Sequence, residues 1–268
     1  DAYTIRKIVY QSLPGFYVTA NLYLPKTKAN GRPVPAVLKA CGHSELAKAA
    51  PLYQKVCIDL ARNGFAVFAV DPVSQGERMQ YYDPAVGRNL VRWHAEHSYI
   101  GLQCDLIGMS IIRYFIWDLV RAIDYLETVP EIDASRIGIT GNSGGGLQTA
   151  FMMMVEPRIQ AAAPCTYITS RESYMRTGQS QDGEQIIYGA IRDGLDYDDY
   201  AAMFAPKPAM IGAVKSDFFC VEGTLEAYER LRRVYALYGC EDRIELSLVD
   251  GTHAYNDALR EATVNFFI

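Results

Sequence analysis

The sequence predicts an α/β fold, with a mostly parallel twisted sheet and helices on both faces. Short segments rich in β-branched and aromatic residues alternate with longer segments of helical periodicity along most of the 268 residues. Two strand-like runs near the amino terminus, residues 4–10 and 16–24, are joined by the turn signal Leu13-Pro14-Gly15. We therefore expect an antiparallel hairpin at one edge of the sheet.

The elements after the hairpin are predicted from periodicity and from residues typical of helix and strand ends. A polar linker over residues 26–33 precedes them. Strands are expected over residues 36–40, 65–70, 136–140, 159–164, 209–214 and 244–249. Helices are expected over residues 52–63, 108–127, 147–155, 222–238 and 256–268. Residues 72–106 and 167–197 match neither pattern, and because loops of that length are usually functional, we expect them to wall a site.

Composition fits one domain over residues 1–268, because 50% of the residues are hydrophobic and 21% are charged. The net charge of −5 gives no basic surface for nucleic acid, so we expect no such partner. No segment is long and apolar enough to span a bilayer, so we expect no membrane partner either.

Metal-binding patterns are weak. The cysteines form no C-x-x-C pair and are expected to be small buried side chains: Cys41, Cys57, Cys104, Cys165, Cys220 and Cys240. His94-Ala95-Glu96-His97 places two histidines three residues apart, but no third ligand motif accompanies them. We therefore expect no metal site.

A nucleophile motif follows the strand predicted at 136–140. Gly141-Asn142-Ser143-Gly144-Gly145 has the pattern G-x-S-x-G, between a predicted strand and a predicted helix. A chain that reverses within a few residues strains the backbone of its apex, and side chains two positions away would clash there, so Gly141 and Gly145 are required. The motif predicts that Ser143 presents its hydroxyl as a nucleophile.

A serine hydroxyl needs a base to take its proton as it attacks. His253 directly follows the last predicted strand, where the chain order serine, acid, histidine places the base. Asp217 follows the preceding strand and is the expected acid, which orients the imidazole and stabilises its charged form. Asp250 and Glu222 are competitors, and Asp250 ranks second because its tight turn favours capping of that turn.

The negative charge of a tetrahedral intermediate is usually bound by two backbone N–H groups. Gly144 is the expected first donor, because it follows the nucleophile at the start of a helix. The second donor should come from Cys41-Gly42-His43-Ser44, after the strand at 36–40. Gly42 lets the backbone approach closely, and the N–H of His43 is the expected donor.

Candidate substrate-binding residues lie in the two long segments. Trp93 and Glu77 lie in the first segment, residues 72–106, and are candidates for contact with substrate. A solvated turn explains the presence of Glu77 equally well. Arg171 and Arg176 lie in the second, and either guanidinium could hold the carboxylate of a uronic acid. Ordinary surface charge explains both arginines equally well.

The order Ser143, Asp217, His253, within this alternation of elements, resembles the α/β-hydrolases. Three further segments look like those of bacterial acetyl xylan esterase-like proteins: residues 20–25, Gln75-Gly76-Glu77-Arg78, and Gly194-Leu195-Asp196-Tyr197 before Ala205-Pro206-Lys207-Pro208. The resemblance covers nearly the whole chain. In many members a histidine-glycine pair stands where this chain has Cys41-Gly42. This loop is the one expected to supply the second N–H donor to the oxyanion, so the chain differs from those members at that donor.

The resemblance implies an α/β-hydrolase fold and a serine esterase that cleaves acetyl or related esters on plant polysaccharides or oligosaccharides through an acyl-enzyme. It implies a carbohydrate ester as substrate and neither metal nor organic cofactor. Because plant polysaccharides lie outside cells, a secreted or periplasmic location is expected.

Other functions remain as alternatives. A glucuronoyl or methyl esterase would need a cation beside the site. A peptidase of the prolyl oligopeptidase kind usually carries a large extra domain, whereas only a hairpin region precedes the core strands here. A dienelactone hydrolase would have Cys at position 143, and a haloalkane dehalogenase Asp. A silent binding module would be favoured by loss of a catalytic residue, but all three are present.

Overall fold

The computed structural model describes residues 2–26 and 31–268, so residues 27–30 of the predicted linker lie outside the described part. Its strands are β1 (Tyr3–Leu13), β2 (Phe16–Pro25), β3 (Val34–Ala40), β4 (Ala66–Val70), β5 (Tyr82–Asp83), β6 (Arg88–Asn89), β7 (Ile132–Asn142), β8 (Ile159–Cys165), β9 (Ala209–Ser216) and β10 (Ile244–Thr252). Its α-helices are α1 (Pro51–Arg62), α2 (Ala95–Asp105), α3 (Ile112–Glu127), α4 (Gly144–Val155), α5 (Arg171–Arg176), α6 (Tyr197–Ala202), α7 (Val221–Leu237) and α8 (Asp257–Phe267).

Eight strands form one sheet in the order β1-β2-β4-β3-β7-β8-β9-β10. β2 runs antiparallel to both β1 and β4, and the remaining neighbours are parallel. Gly15 in the β1–β2 turn has a φ of 75°, the left-handed conformation that the turn signal requires. The predicted mostly parallel sheet with an amino-terminal hairpin is confirmed.

The sheet is covered on both faces because successive side chains of a strand point to opposite sides. Leu38 of β3 packs into one apolar cluster, with side chains of α3, α4, α6 and α7. Its neighbour Val37 packs into a second cluster, with side chains of α1 and α8. The six cysteines are free thiols, and five of them are buried, as predicted.

The two segments predicted as long loops contain most of the elements that the sequence pattern missed. Residues 72–106 hold the small β5–β6 ribbon and α2, and residues 167–197 hold α5 and a short 3-10 turn at Gly183–Gln185. The helix predicted from residue 108 starts later, at Ile112, because Gly108 has a φ of 71° and cannot lie in a helix. None of the helices in the described residues has the length and apolarity to cross a membrane.

The parallel strands end at the same edge of the sheet and place the site there. The carboxyl end of β3 is followed by His43, and that of β7 by Ser143. Asp217 follows β9, and His253 follows β10. Residues more than two hundred positions apart in the chain therefore meet at one end of the sheet.

Candidate active site

Ser143 lies at the apex of a tight turn between β7 and α4, with φ 57° and ψ −124°. This backbone conformation is strained for a residue that carries a side chain. A Cβ atom on Gly141 would lie 2.4 Å from the carbonyl oxygen of Gly145, and one on Gly145 would lie 2.3 Å from that of Ala40. Both positions therefore need glycine, for the steric reason that the elbow motif predicts.

The strained apex is held by the chain that follows β8. The backbone N–H of Ser143 donates to the Oγ1 of Thr166 at 2.9 Å and to the carbonyl of Cys165 at 3.0 Å. Thr166 itself has a φ of 49°, and its hydroxyl donates to the same Cys165 carbonyl at 2.9 Å. Thr166 was not predicted as a site residue, and its only signal in the sequence is its position two residues after the strand predicted at 159–164.

The structure brings Ser143, His253 and Asp217 into one line of hydrogen bonds. The Nε2 of His253 lies 2.9 Å from the Oγ of Ser143, and its Nδ1 lies 2.8 Å from the Oδ1 of Asp217. The Asp217 side chain is only 1% exposed and also accepts the backbone N–H of Phe219 at 3.0 Å. An imidazole held in this way can take a proton from the serine hydroxyl while a buried carboxylate stabilises its charged form.

The two competing acids lie elsewhere. Asp250 pairs with the ammonium group of Lys215 at 2.7 Å, and its side chain is 89% exposed. Glu222 is exposed on the first turn of α7. Neither carboxylate takes the place of Asp217 behind the imidazole.

A cavity of about 330 Å³ opens in front of the serine. Both expected oxyanion residues, Gly144 and His43, line it together with Ser143. Gly42 packs behind them, because a Cβ on it would lie 2.3 Å from the carbonyl oxygen of Asn142. Gln148 of α4 donates to the carbonyl of Cys41 at 2.9 Å and so joins the loop after β3 to the nucleophile helix.

The remaining wall of the cavity comes mainly from the two long segments. It contains aromatic rings and short polar side chains: Tyr167, Tyr174, Phe218, Phe219, Ser98, Gln179, Ser180, Gln181 and Gln185. Among the described residues that line the cavity, none is lysine or arginine. Its two carboxyl side chains are Asp182 and Glu184.

Four titratable side chains meet beside the nucleophile turn: His43, His97, Asp182 and Glu184. Burial lowers the pKa of His43 to about 4 despite the nearby carboxylate of Asp182, so its ring is neutral. Burial raises the pKa of Glu184 to about 8, and the carboxylate of Asp182 adds to this shift.

The His94-Ala95-Glu96-His97 segment is divided among three roles. His94 lines the cavity, whereas His97 is fully buried in the group of four. Glu96 accepts the backbone N–H groups of Gln80 at 2.9 Å and Tyr81 at 3.3 Å, which holds the first insertion together. The start and the packing of α2 decide where these three side chains point, so the spacing of the two histidines alone did not reveal their positions.

Trp93 was expected to be a wall residue, but it is not among the residues that line the cavity. Its ring lies 5.8 Å from that of His43 and 4.7 Å from that of His94, centroid to centroid. It therefore backs two histidines that line the cavity.

Three other expected substrate-binding residues are corrected by the structure. Glu77 pairs with Lys48, which in turn pairs with the buried carboxylate of Asp71. Arg171 is buried with its guanidinium 4.4 Å from the ring centroid of Tyr197.

Arg176 is 76% exposed and pairs with Glu172 one helical turn away. None of these three side chains lines the cavity, and each is bound by another side chain.

Comparison with known proteins gives a consistent family. The model of the family described as "Acetyl xylan esterase (AXE1)" matches residues 2–187, which include Ser143 but end before Asp217 and His253. The curated protein "Putative hydrolase YtaP" of Bacillus subtilis (strain 168) is 24% identical over 260 residues, covering 92% of this chain and 82% of that protein.

Solved structures share the fold at low sequence identity. "Methylesterase BT1017" superposes with a TM-score of 0.72 at 22% identity, covering 100% of this chain and 55% of that one. The "putative acetyl xylan esterase (BF1801)" of Bacteroides fragilis NCTC 9343 also gives 0.72, at 18% identity, covering 92% of this chain and 66% of that one. This chain thus spans little more than half of the methylesterase structure.

The sheet order, the nucleophile turn and these likenesses agree on an α/β-hydrolase fold and on an enzyme of the carbohydrate esterase type. The chain belongs to the acetyl xylan esterase (AXE1) family.

Proposed function

We propose that this protein is a serine esterase that removes acetyl groups from the hydroxyls of plant-type polysaccharides or oligosaccharides. The observation that carries the proposal is the hydrogen-bonded line from Ser143 through His253 to Asp217, which opens onto a cavity without lysine or arginine among its described lining residues. Membership in the acetyl xylan esterase family supports the acyl group.

Acylation starts when the Nε2 of His253 takes the proton of the Ser143 hydroxyl. The serine oxygen then forms a bond to the acetyl carbonyl carbon, and the carbonyl electron pair moves to its oxygen. The backbone N–H groups of Gly144 and His43 donate hydrogen bonds to this negatively charged oxygen. As the intermediate collapses, the imidazolium gives its proton to the sugar oxygen, which leaves as an alcohol, and the acetyl group stays on the serine.

Deacylation repeats these steps with water in place of serine. His253 takes a proton from water, the hydroxyl oxygen attacks the acyl carbon, and the serine oxygen leaves with the proton that the imidazolium returns. Acetate is released. Asp217 stabilises the charged imidazole in both halves without itself taking the proton.

The cavity wall favours a neutral sugar ester over an ester of a uronic acid. A glucuronoyl esterase or a pectin methylesterase cleaves an ester of the sugar's own carboxyl group and releases a uronate, whose negative charge a cation would hold. Arg171 and Arg176, the two candidates for that role, bind elsewhere, and the cavity instead presents Asp182 and Glu184. Acetylated plant polysaccharides lie outside cells, so we propose that the protein is secreted or periplasmic.

The proposal is tested by labelling and by a substrate panel. A fluorophosphonate probe should inactivate the enzyme, and peptide mapping should locate the label on Ser143. Acetylated xylan should be hydrolysed in preference to methyl-esterified pectin and glucuronoate esters. Ser143→Ala should abolish both labelling and hydrolysis, whereas Ser247→Ala, in the last strand, should retain them. Full activity of Ser143→Ala would exclude the proposed mechanism, and a preference for uronate esters would exclude the proposed substrate.

A further inference from the structure

Three separate parts of the chain converge on the group formed by His43, His97, Asp182 and Glu184. His43 lies in the loop after β3, His97 lies in α2 of the first insertion, and the two acids flank Gly183 in the second. One nitrogen or oxygen of each side chain lies within 4.8 Å of those of the other three. A Cβ on Gly183 would lie 2.4 Å from the carbonyl oxygen of His97, so the two insertions touch along their backbones.

Three distances from the Nε2 of His43 are close to those between ligand atoms around a small divalent metal ion. A tetrahedral zinc ion with bonds of about 2.0–2.1 Å holds its ligand atoms about 3.3–3.4 Å apart. The Nε2 of His43 lies 3.3 Å from the Nδ1 of His97. The same nitrogen lies 3.4 Å from the Oδ2 of Asp182 and 3.4 Å from the Oε1 of Glu184.

The tautomer of His97 is fixed from outside the group. Its Nε2 lies 3.1 Å from the backbone carbonyl of Val73, which only accepts hydrogen bonds, so this nitrogen carries a hydrogen and donates it. The Nδ1 faces the Oδ1 of Asp182 at 2.9 Å. Burial lowers the pKa of His97, but the hydrogen bond with Asp182 outweighs it and raises this pKa above its ordinary value, which favours a proton on the Nδ1. A cation bound in the group would take the place of that proton. A histidine that donates one ring N–H to a backbone carbonyl and directs its other nitrogen at a cation is the usual arrangement in metal sites.

Glu184 provides an independent indication. Its side chain is 2% exposed, and among the described residues its ion-pair partner is the ring of His43 rather than a lysine or arginine. Buried carboxyl groups are usually paired or bound to a metal. Its Oε1 faces the group, with the Nε2 of His43 at 3.4 Å.

The same carboxyl group lies against the nucleophile turn. A Cβ on Gly144 would be 2.4 Å from the Oε1 of Glu184. A bare negative charge at this position would oppose the charge that develops on the substrate oxygen beside the N–H of Gly144. The carboxyl group avoids this conflict either by staying protonated, as its raised pKa indicates, or by binding a cation together with Asp182.

We infer that His43, His97, Asp182 and Glu184 form a binding site for one divalent transition-metal ion, with zinc as the expected metal. Two imidazole nitrogens and two carboxylate oxygens are a ligand set that zinc accepts, and their two negative charges balance its two positive charges. Four protein ligands complete a tetrahedral shell, so the site is structural. It joins both insertions to the loop that supplies the N–H of His43.

Metal binding is tested directly on the whole chain. Protein stripped with a chelator is titrated with zinc sulfate by calorimetry and, in a parallel sample, with cobalt(II), whose visible absorption reports tetrahedral coordination. The wild type should bind one equivalent of each metal, and zinc should raise its Tm. Glu184→Gln and His97→Gln should each weaken zinc binding by at least about tenfold.

His94→Gln is the matched control, because His94 lines the same cavity without belonging to the group of four. It should bind zinc as the wild type does. The site is refuted by absence of saturable binding to folded wild-type protein, by wild-type affinity in both ligand variants, or by an equal loss in His94→Gln. Folding of every variant is checked by circular dichroism.

These outcomes are separate from those of the proposed esterase. Ser143→Ala should bind zinc with unchanged affinity while lacking hydrolysis. A protein that hydrolyses acetyl esters but binds no metal would overturn only the metal site. A protein that binds zinc but hydrolyses no ester would overturn only the proposed function.

Discussion

The ring of Phe218 lies 4.2 Å from the ring of His253, centroid to centroid, at an interplanar angle of 35°. Phe219 lies 5.8 Å from the same imidazole. Both phenylalanines directly follow Asp217 in the chain, so one short segment supplies the acid behind the imidazole and the aromatic surface against it. The position of the ring is therefore fixed by packing as well as by its two hydrogen bonds.

Removing the Phe218 ring should lower catalysis while leaving the fold intact. In Phe218→Ala the imidazole gains freedom, and because small displacements of reacting groups are costly, we expect kcat to fall by about ten- to a hundredfold. Phe218→Tyr keeps the ring and should retain most of the activity. Steady-state hydrolysis of p-nitrophenyl acetate measures both, and an unchanged kcat in Phe218→Ala would remove the positioning role.

The assignment of the acid is tested by two matched asparagine variants. Asp217→Asn should lower kcat by a factor on the order of 10⁴, because an amide favours the wrong imidazole tautomer. Asp250→Asn should change kcat little, since Asp250 is 89% exposed and pairs with Lys215. The reverse result, a large loss only in Asp250→Asn, would move the acid to that turn.

The strained serine turn should depend on the hydroxyl of Thr166. Thr166→Val keeps the size of the side chain but leaves the N–H of Ser143 with the carbonyl of Cys165 as its remaining acceptor, so we expect a loss of about 1 kcal/mol in the free energy of unfolding. We also expect a lower kcat, because the apex is then less well fixed. Thr166→Ser restores the acceptor and should restore both. Urea denaturation measures the free energy of unfolding, and ester hydrolysis measures kcat. Equal values in Thr166→Val and Thr166→Ser would contradict the role of the Thr166 hydroxyl.

Glu156, at the end of α4, should make stability depend on pH. Burial opposes the ionisation of Glu156, but the hydrogen bonds from Arg158, at 2.8 and 2.7 Å, outweigh it and hold the pKa of this carboxyl below its ordinary value. A lowered pKa in the folded state stabilises the fold above the ordinary value, and this stabilisation is lost as the pH falls through the lowered one.

Arg158→Gln should therefore lower the free energy of unfolding by about 1–3 kcal/mol near neutral pH. The difference from the wild type should shrink as the pH falls through the lowered pKa of Glu156, where this carboxyl takes up its proton. Arg136→Gln is the control, because Arg136 is exposed and its pair with Asp133 should contribute little. A difference for Arg158→Gln that stays constant with pH, measured by urea denaturation, would contradict the ion pair.

The strands of the sheet and the site residues that directly follow them were predictable, because the local sequence specifies both. Ser143 is marked by the glycines that its strained turn requires, and Asp217 and His253 directly follow strands that hydrophobic periodicity reveals. Their meeting follows from parallel strands that end at one edge. Chain order alone thus placed three distant residues at the same end of the sheet.

The contents of the two insertions were not predictable in the same way. Asp182 and Glu184 lie in a short turn without periodicity, and their partner His97 is 85 positions away from Asp182 in the chain. Arg171 was expected to contact substrate, but Tyr197 and Tyr200, from a later helix, bury it. Contacts of this kind depend on how two irregular segments fold over each other, which no local pattern encodes.

The proposed reaction and its selectivity would be carried by different parts of the chain. The proposed nucleophile, acid and base follow β7, β9 and β10, whereas much of the cavity wall belongs to residues 72–106 and 167–197. Relatives could therefore exchange these two segments and acquire new sugar preferences without rebuilding the reaction centre. Because each insertion touches the other through His97 and Gly183, a functional chimaera must receive them as a pair.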